Sequence, residues 1–414
     1  MSLKIITFGC RLNTYESEVI KDFLKDKISD AKDVVIFNSC AVTSEAERKL
    51  RQAIRKARKE TPKAKIGVAG CAVQVNKEAY EKMPEVDFIL GNKDKMELES
   101  YVKCGCGGCK DKKEKSILVS DIFELTELSS HLISGFEEKT RAFIQIQTGC
   151  DNECTFCITR LARGKSVSIP SEKIIEQMKL VDKNGYNEVV LTGVNIIDYG
   201  KRLNDEKINL GQLIKRILAE TNLKRIRLSS LDVAEIDDDL MELIKNEPRL
   251  MPHLHISLQS GDNMVLARMK RRHTREQVLA FCKEIRKFRP NVAFGADLIA
   301  GFPTETTEMH ENTMELVREA NIVFGHIFPY SERPETLAAK MLPVEKNIRK
   351  RRAKELRELT SKQLEEFKKE LIGTKQMVLI ESNCIGRLEN YLTVDLVDGQ
   401  ENRIGEIIEV DYNL

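Results

Sequence analysis

A strand–helix rhythm occupies the first hundred residues, stops, and restarts at Arg141. Nothing else in the 414-residue chain restricts its fold as much. In the first run Lys4–Phe8, Val34–Phe37 and Lys65–Ala69 read as strands, because short apolar runs end on turn-forming residues. Helices are expected between them, from about Glu16 to Lys27 and from Glu45 to Lys59. Ser44 and Glu47 have the spacing of a capping box, and Pro62 follows the second helix. Parallel neighbours need a crossover long enough to hold a helix, so this alternation predicts a parallel α/β sheet.

The second run supplies six candidate strands: Ala142–Gln147, Glu188–Thr192, Arg225–Ser229, His253–Leu258, Val292–Ile299 and Ile322–Phe328. Thr274 with Gln277 caps one intervening helix and Pro290 ends it, while Gly185 closes another. Six βα units predict a partial barrel rather than a complete eightfold one. After Gly373 the pattern shortens to Gln376–Ile380, Tyr391–Leu396 and Glu406–Val410, as in a small all-β domain of oligonucleotide-binding type. The expected α/β organisation is an N-terminal parallel domain (1–105), a linker (106–135), a partial (βα)6 barrel (136–345), a helical connector (346–370) and a small β domain (371–414).

Charge excludes a broad polyanion-binding surface, since Lys+Arg 67 nearly cancels Asp+Glu 65. The basic runs Lys270–Arg275 and Arg349–Arg352 are local, and each reads either as a phosphate contact or as a solvated helix face. The N-terminal apolar stretch is too short for a signal segment and no segment approaches a membrane span, so a cytoplasmic protein is expected. Eleven cysteines, an odd number, then favour metal or redox chemistry over disulfides.

Cys150, Cys154 and Cys157 form a CxxxCxxC motif directly after the first barrel strand, at the carboxyl end where barrel active sites sit. Three thiolates can hold three irons of a [4Fe–4S] cluster and leave the fourth open, whereas electron carriers usually supply four. An open iron can take the amino and carboxylate groups of S-adenosylmethionine. The cofactor then carries the chemistry and no catalytic side chain is assigned. Zinc is the rival ion, but its motifs more often pair two CxxC units or add His, and no His lies near this triplet.

Cys10, Cys40 and Cys71 each follow one of the three N-terminal strands. Parallel strands bring their carboxyl ends to one edge, so these thiols are expected to converge on a second three-cysteine cluster; the alternative is three separate core cysteines. Gly193 and Asn195 end the second barrel strand, and Gln259 and Asp297 lie in strands aimed at the active end. All four are candidates for contact with the cofactor, with strand-end turns and internal hydrogen bonds as the alternative. Cys104, Cys106 and Cys109 sit among Gly and Lys and read as a variable loop outside the catalytic set. Gly164-Lys165-Ser166 imitates the end of a P-loop, but Thr159 stands where the opening Gly is required.

Several segments carry a close resemblance. Gly9-Cys10-Arg11-Leu12-Asn13, Asn38-Ser39-Cys40-Ala41-Val42-Thr43 and Gly70-Cys71-Ala72 resemble the N-terminal domain of the radical methylthiotransferases. The Cys150–Cys157 run, Leu191-Thr192-Gly193-Val194-Asn195, Ser257-Leu258-Gln259-Ser260-Gly261, Asp297–Glu305 and Tyr330-Ser331-Glu332-Arg333-Pro334 are similar to the same family, and Gly386-Arg387 with Asn390-Tyr391 to its TRAM domain. Phe8–Asn13 and Pro252–Gln259 most resemble the subgroup acting on N6-threonylcarbamoyladenosine beside the tRNA anticodon.

The resemblance implies two [4Fe–4S] clusters, two uses of S-adenosylmethionine, tRNA as substrate, an electron donor of flavodoxin or ferredoxin type, and a monomer. Related alternatives are isopentenyladenosine in tRNA or a ribosomal protein as substrate; a non-catalytic iron–sulfur carrier or RNA-binding protein is the different-class alternative. The chain departs from the family where Val167 and Ile169 stand in place of further Arg after Ser166.

Overall fold

The computed structural model describes residues 3–25, 33–105, 115–128, 131–133, 135–136, 140–203, 207–396 and 401–413. Strands β1 (Leu3–Thr7), β2 (Val34–Ser39), β3 (Lys65–Gly70), β4 (Phe88–Leu90) and β5 (Ser116–Leu118) form one parallel sheet in sequence order. β4 and β5 are three residues each, too short to show a pattern in sequence. The central strands alternate their apolar side chains between two covered faces. Val34 and Ile36 meet Ile20 and Leu24 of the helix Arg11–Leu24, whereas Val35 and Phe37 meet Leu50 and Ile54 of the helix Ser44–Glu60. Each such fully buried aliphatic side chain stabilises the sheet by about 1.5–3 kcal/mol.

Two helix starts differ from expectation. The first helix begins at Arg11, five residues before Glu16, because Asn13 Oδ1 accepts the Cys10 N–H at 3.3 Å and holds the entry. Its expected end at Lys27 lies outside the described residues. The second is capped by Thr43, whose Oγ1 accepts from Ala46 N at 3.1 Å, so Ser44 and Glu47 form no capping box. Glu47 instead pairs with the buried Arg333 at 2.5 Å, since a desolvated guanidinium binds a carboxylate more strongly than a helix-end amide does.

The six expected barrel strands are present. After β6 (Arg141–Gln145), the pair β7 (Gln147–Thr148) and β8 (Val167–Ser168) is antiparallel. Then β9 (Glu188–Thr192), β10 (Arg225–Leu228), β11 (His253–Gln259), β12 (Ala293–Ala300) and β13 (Ile322–Pro329) follow, each preceded by a helix. Parallel sheets β10-β9-β6 and β11-β12-β13 are joined by a bridge between Leu231 and Ile256. Val167 of β8 and Ile169 just after it, the departures from the family pattern, are buried, and a charged side chain at either would be desolvated.

The helix Lys346–Glu370 packs on β13 and leads to an antiparallel sheet of β14 (Lys375–Ile380), β15 (Ile385–Leu388), β16 (Thr393–Asp395) and β17 (Ile407–Asp411), in the order β16-β15-β14-β17. β15 was not expected, because Gly386 and Arg387 interrupt its apolar run. Tyr391, expected in a strand, instead sits in a turn at φ +77°. Buried Arg225 and Arg227 of β10 dock this sheet: Arg225 Nη2 donates to Met377 O at 2.7 Å and Arg227 Nη2 to Leu388 O at 2.8 Å.

Candidate active site

The cysteine loop after β7 depends on Gly149. At φ +70° a Cβ there would lie 1.8 Å from Lys165 O. This close approach lets Cys150 N donate to Gly164 O at 3.1 Å and folds the loop back on itself. Each thiol then has a donor: Asn152 N to Cys150 Sγ (3.4 Å), Arg271 Nη1 to Cys154 Sγ (3.5 Å) and Thr159 N to Cys157 Sγ (3.4 Å). Burial, then the neighbouring Cys157, Asp198 and Cys154, push the Cys150 thiol up to about 12 despite the Asn152 N–H. Burial also raises the Cys154 thiol against the pull of Arg271. Such a set stays deprotonated only with compensating positive charge, as bound iron would supply.

We expect Gly149→Ala to cost more than about 2 kcal/mol and to empty the central site of iron. Gly185→Ala is the control, since Gly185 has φ +84° but nothing within 4 Å of the added carbon. Iron content and thermal unfolding of the two variants check this; equal behaviour would refute the steric argument.

Cys10 and Cys40 lie side by side, and Cys71 is near enough to influence the Cys40 thiol. A Cβ on Gly9 would stand 3.1 Å from Cys40 Cβ, so the Cys10 turn closes directly on Cys40. Burial, then Cys71, then Cys10 to a lesser degree, raise the Cys40 thiol to about 11. Cys71 packs against Ile158 and Ala162 of the barrel domain, and its Sγ accepts from Asn92 Nδ2 at 3.5 Å. Cys10 and Cys40 line the same cavity of about 770 Å³ as Cys150, Cys154 and Cys157, with Cys71 buried behind them.

A buried ionic group fixes the two triplets relative to each other. Arg163, six residues past Cys157, forks onto Glu16 of the first helix at 2.7 and 3.1 Å, and Lys95 Nζ reaches Glu16 Oε2 at 2.6 Å. Burial alone would raise the Glu16 carboxyl, but Arg163 and Lys95 hold it down to about 2. One carboxylate faces two cations here, and both cations also feel Cys71. The surplus positive charge suits thiolate ligands around a cluster.

Gly193, Asn195, Gln259 and Asp297 all line the cavity. Gln147 Oε1 accepts from Val194 N and Asn195 N, both at 3.0 Å, and ties the turn after β9 to the cysteine loop. A side chain at Gly193 would strike that same Gln147 oxygen at 2.8 Å. Asn195 Nδ2 and Ser229 Oγ are buried at the cavity with no hydrogen-bond partner among the described residues. Unpaired donors are costly unless a polar ligand meets them, so they fit a polar cofactor such as S-adenosylmethionine. Gln259 holds a strained φ of +71° at the carboxyl end of β11. Asp297 is not free: its Oδ1 lies 3.1 Å from His255 Nε2 and 3.4 Å from His326 Nδ1.

Sequence reasoning missed Arg271. Within the basic run that contains it, Arg271 binds Asp232 at 3.0 Å, Arg272 pairs with Glu235 and Arg275 meets Glu315 at 3.1 Å, while Lys270 is exposed. Burial would raise Asp232, but His273 and Arg271 hold it near 2. In the second run Arg352 is likewise buried on Glu305 at 2.8 Å. Cys104 packs in the core of the N-terminal domain, and Cys106 and Cys109 lie outside the described residues. Among the described residues no helix is long and apolar enough to cross a membrane.

A six-stranded partial barrel with a three-cysteine loop at its carboxyl end, facing an N-terminal α/β domain, defines an iron–sulfur enzyme of the radical S-adenosylmethionine class. The profile of the radical SAM superfamily matches residues 144–317, and that of the uncharacterized protein family UPF0004 matches residues 2–91. The chain is 51% identical over 394 residues to the threonylcarbamoyladenosine tRNA methylthiotransferase MtaB of Rickettsia prowazekii, covering 95% of this chain and 91% of that protein. It is 36% identical to the MtaB of Aquifex aeolicus over 422 residues, 99% of this chain and all (100%) of the other. The chain belongs to the MtaB-type radical S-adenosylmethionine methylthiotransferase family. A solved radical S-adenosylmethionine methyltransferase, TsrM of Kitasatospora setae, shares the fold with a TM-score of 0.60 at 14% identity, over 82% of this chain and 77% of that one.

Proposed function

We propose that this methylthiotransferase places a methylthio group on C2 of N6-threonylcarbamoyladenosine at position 37 of tRNA. Cys10 and Cys40, with Cys71 close to Cys40, facing Cys150, Cys154 and Cys157 across one cavity are the observation that carries this reading. The relatives' names supply the substrate, a tRNA base bearing a threonylcarbamoyl group.

Cys150, Cys154 and Cys157 would hold one [4Fe–4S] cluster, and Cys10, Cys40 and Cys71 another. When bound, these groups and two S-adenosylmethionines supply a radical that activates the C2–H bond and a sulfur that is methylated and delivered. The chain's own residues hold and screen the reaction. Asn195 and Ser229 offer buried donors to the polar groups of S-adenosylmethionine, with Gly193 and Gln259 beside them. Arg271, beside Cys154, balances thiolate charge.

In this reading the chain divides into the α/β domain 1–105, linker 106–135, barrel 136–345, connector 346–370 and a TRAM-like β domain 371–414 that grips RNA. The protein works as a cytoplasmic monomer fed electrons by a flavodoxin or ferredoxin. Mass spectrometry of tRNA nucleosides from a deletion strain is the test. Threonylcarbamoyladenosine without the methylthio group should accumulate; unchanged modification, or loss of methylthio-isopentenyladenosine instead, would refute the assignment.

A further inference from the structure

The cavity carries more cationic donors than the iron–sulfur chemistry uses. Arg11, directly after Cys10, lines it. Its Nη2 donates to Tyr391 Oη at 3.0 Å, and among the described residues it has no carboxylate partner. From the barrel, β11, β12 and β13 present His255, Asp297 and His326, and Asp297 is the direct register partner of His326. One Asp297 carboxylate oxygen lies 3.1 Å from His255 Nε2 and 3.4 Å from His326 Nδ1, and the two rings lie 4.6 Å apart. His255 is buried, but the His326 side chain is 61% exposed, and its Nε2 has no partner among the described residues. Buried His253 is held well below its ordinary value by desolvation, then by Arg227, His255, Arg11 and His326, so these groups share one electrostatic neighbourhood.

We propose that Arg11 and His326 bind the carboxylate of the threonylcarbamoyl group, with Asp297 and His255 positioning His326. The inference rests on the substrate reading above and extends it to the group recognised. Adenine is neutral, and so is an isopentenyl substituent; the threonylcarbamoyl group ends in a carboxylate. A guanidinium makes strong charge-assisted hydrogen bonds to such an anion in a partly closed cavity, and an imidazole N–H adds a further donor. Two imidazoles and a carboxylate are also a donor set for a divalent transition metal, and their ligand atoms lie within 4.8 Å of one another. Arg11 in the same cavity argues for an anion, because it repels a second cation.

The test compares anticodon stem-loop RNAs carrying either threonylcarbamoyladenosine or its carboxamide, with binding and methylthiolation measured on the cluster-loaded protein. Wild type should favour the carboxylate RNA at least about tenfold, and Arg11→Gln and His326→Gln should each bring that ratio close to one. Exposed His326 supplies the variant least able to disturb folding. An unchanged ratio in His326→Gln, a wild-type ratio near one, or discrimination appearing only with added zinc or manganese would overturn the proposal. If wild type methylthiolates both RNAs equally well, the substrate reading stands and this site falls. If it acts only on isopentenyladenosine RNA, both fall.

Discussion

Replacing Cys150, Cys154 and Cys157 together by Ala abolishes 5′-deoxyadenosine formation from S-adenosylmethionine and strong reductant, a loss of more than about a thousandfold. It also leaves about half of the roughly eight irons expected per chain. No side chain at the cavity can substitute, because reductive cleavage needs an iron with an open position. The remaining iron should stay with Cys10, Cys40 and Cys71, which lie on another domain with their own hydrogen bonds to Asn13, Val42 N and Asn92. Anaerobic reconstitution, iron analysis and product chromatography check both halves. Unchanged iron would mean that the central site is misassigned; complete loss of iron would mean that the N-terminal triplet does not hold a cluster on its own.

Glu16→Gln destabilises the protein by about 3–5 kcal/mol and uncouples the two cysteine triplets. The substitution keeps the shape of the side chain but leaves Lys95 and Arg163, whose side chains are 0% and 4% exposed, as desolvated cations without an anion. The effect has a pH signature. Glu16 is held down to about 2 in the folded protein against an ordinary 4.5. Its contribution is therefore complete above about pH 4.5 and is lost as the pH falls toward 2. The gap between wild type and Glu16→Gln, read from denaturant unfolding, should be widest at neutral pH and close through that window. A gap below about 1 kcal/mol at pH 7 would show that the group is not a structural tie.

Much of the fold was legible because its signals are short-range. Five of the six barrel strands announce themselves by apolar runs with Gly or Pro near an end, and the three strand-end cysteines repeat one address in one repeating unit. The misses share a cause. β4 and β5 have too few residues to show a period, and Glu47 was read as a helix cap when a residue 286 positions away claims its carboxylate. Arg271 was read as part of a surface charge run; only the return of the chain against Asp232 buries it. The two histidines that flank Asp297, which does line the cavity, lie on other strands and were not legible beside it in sequence.

The sequence by itself determined the two parallel α/β units and the positions of the six cysteines, because periodicity and strand-end placement are properties of neighbouring residues. The tertiary structure decided that Cys10 and Cys40 face one cavity with Cys150, Cys154 and Cys157, that Glu16 ties Arg163 to Lys95, and that Arg11, His326 and Tyr391 gather there from three parts of the chain. Those juxtapositions depend on how separate surfaces dock, and docking is set by side-chain packing summed over whole faces rather than by any local run of residues.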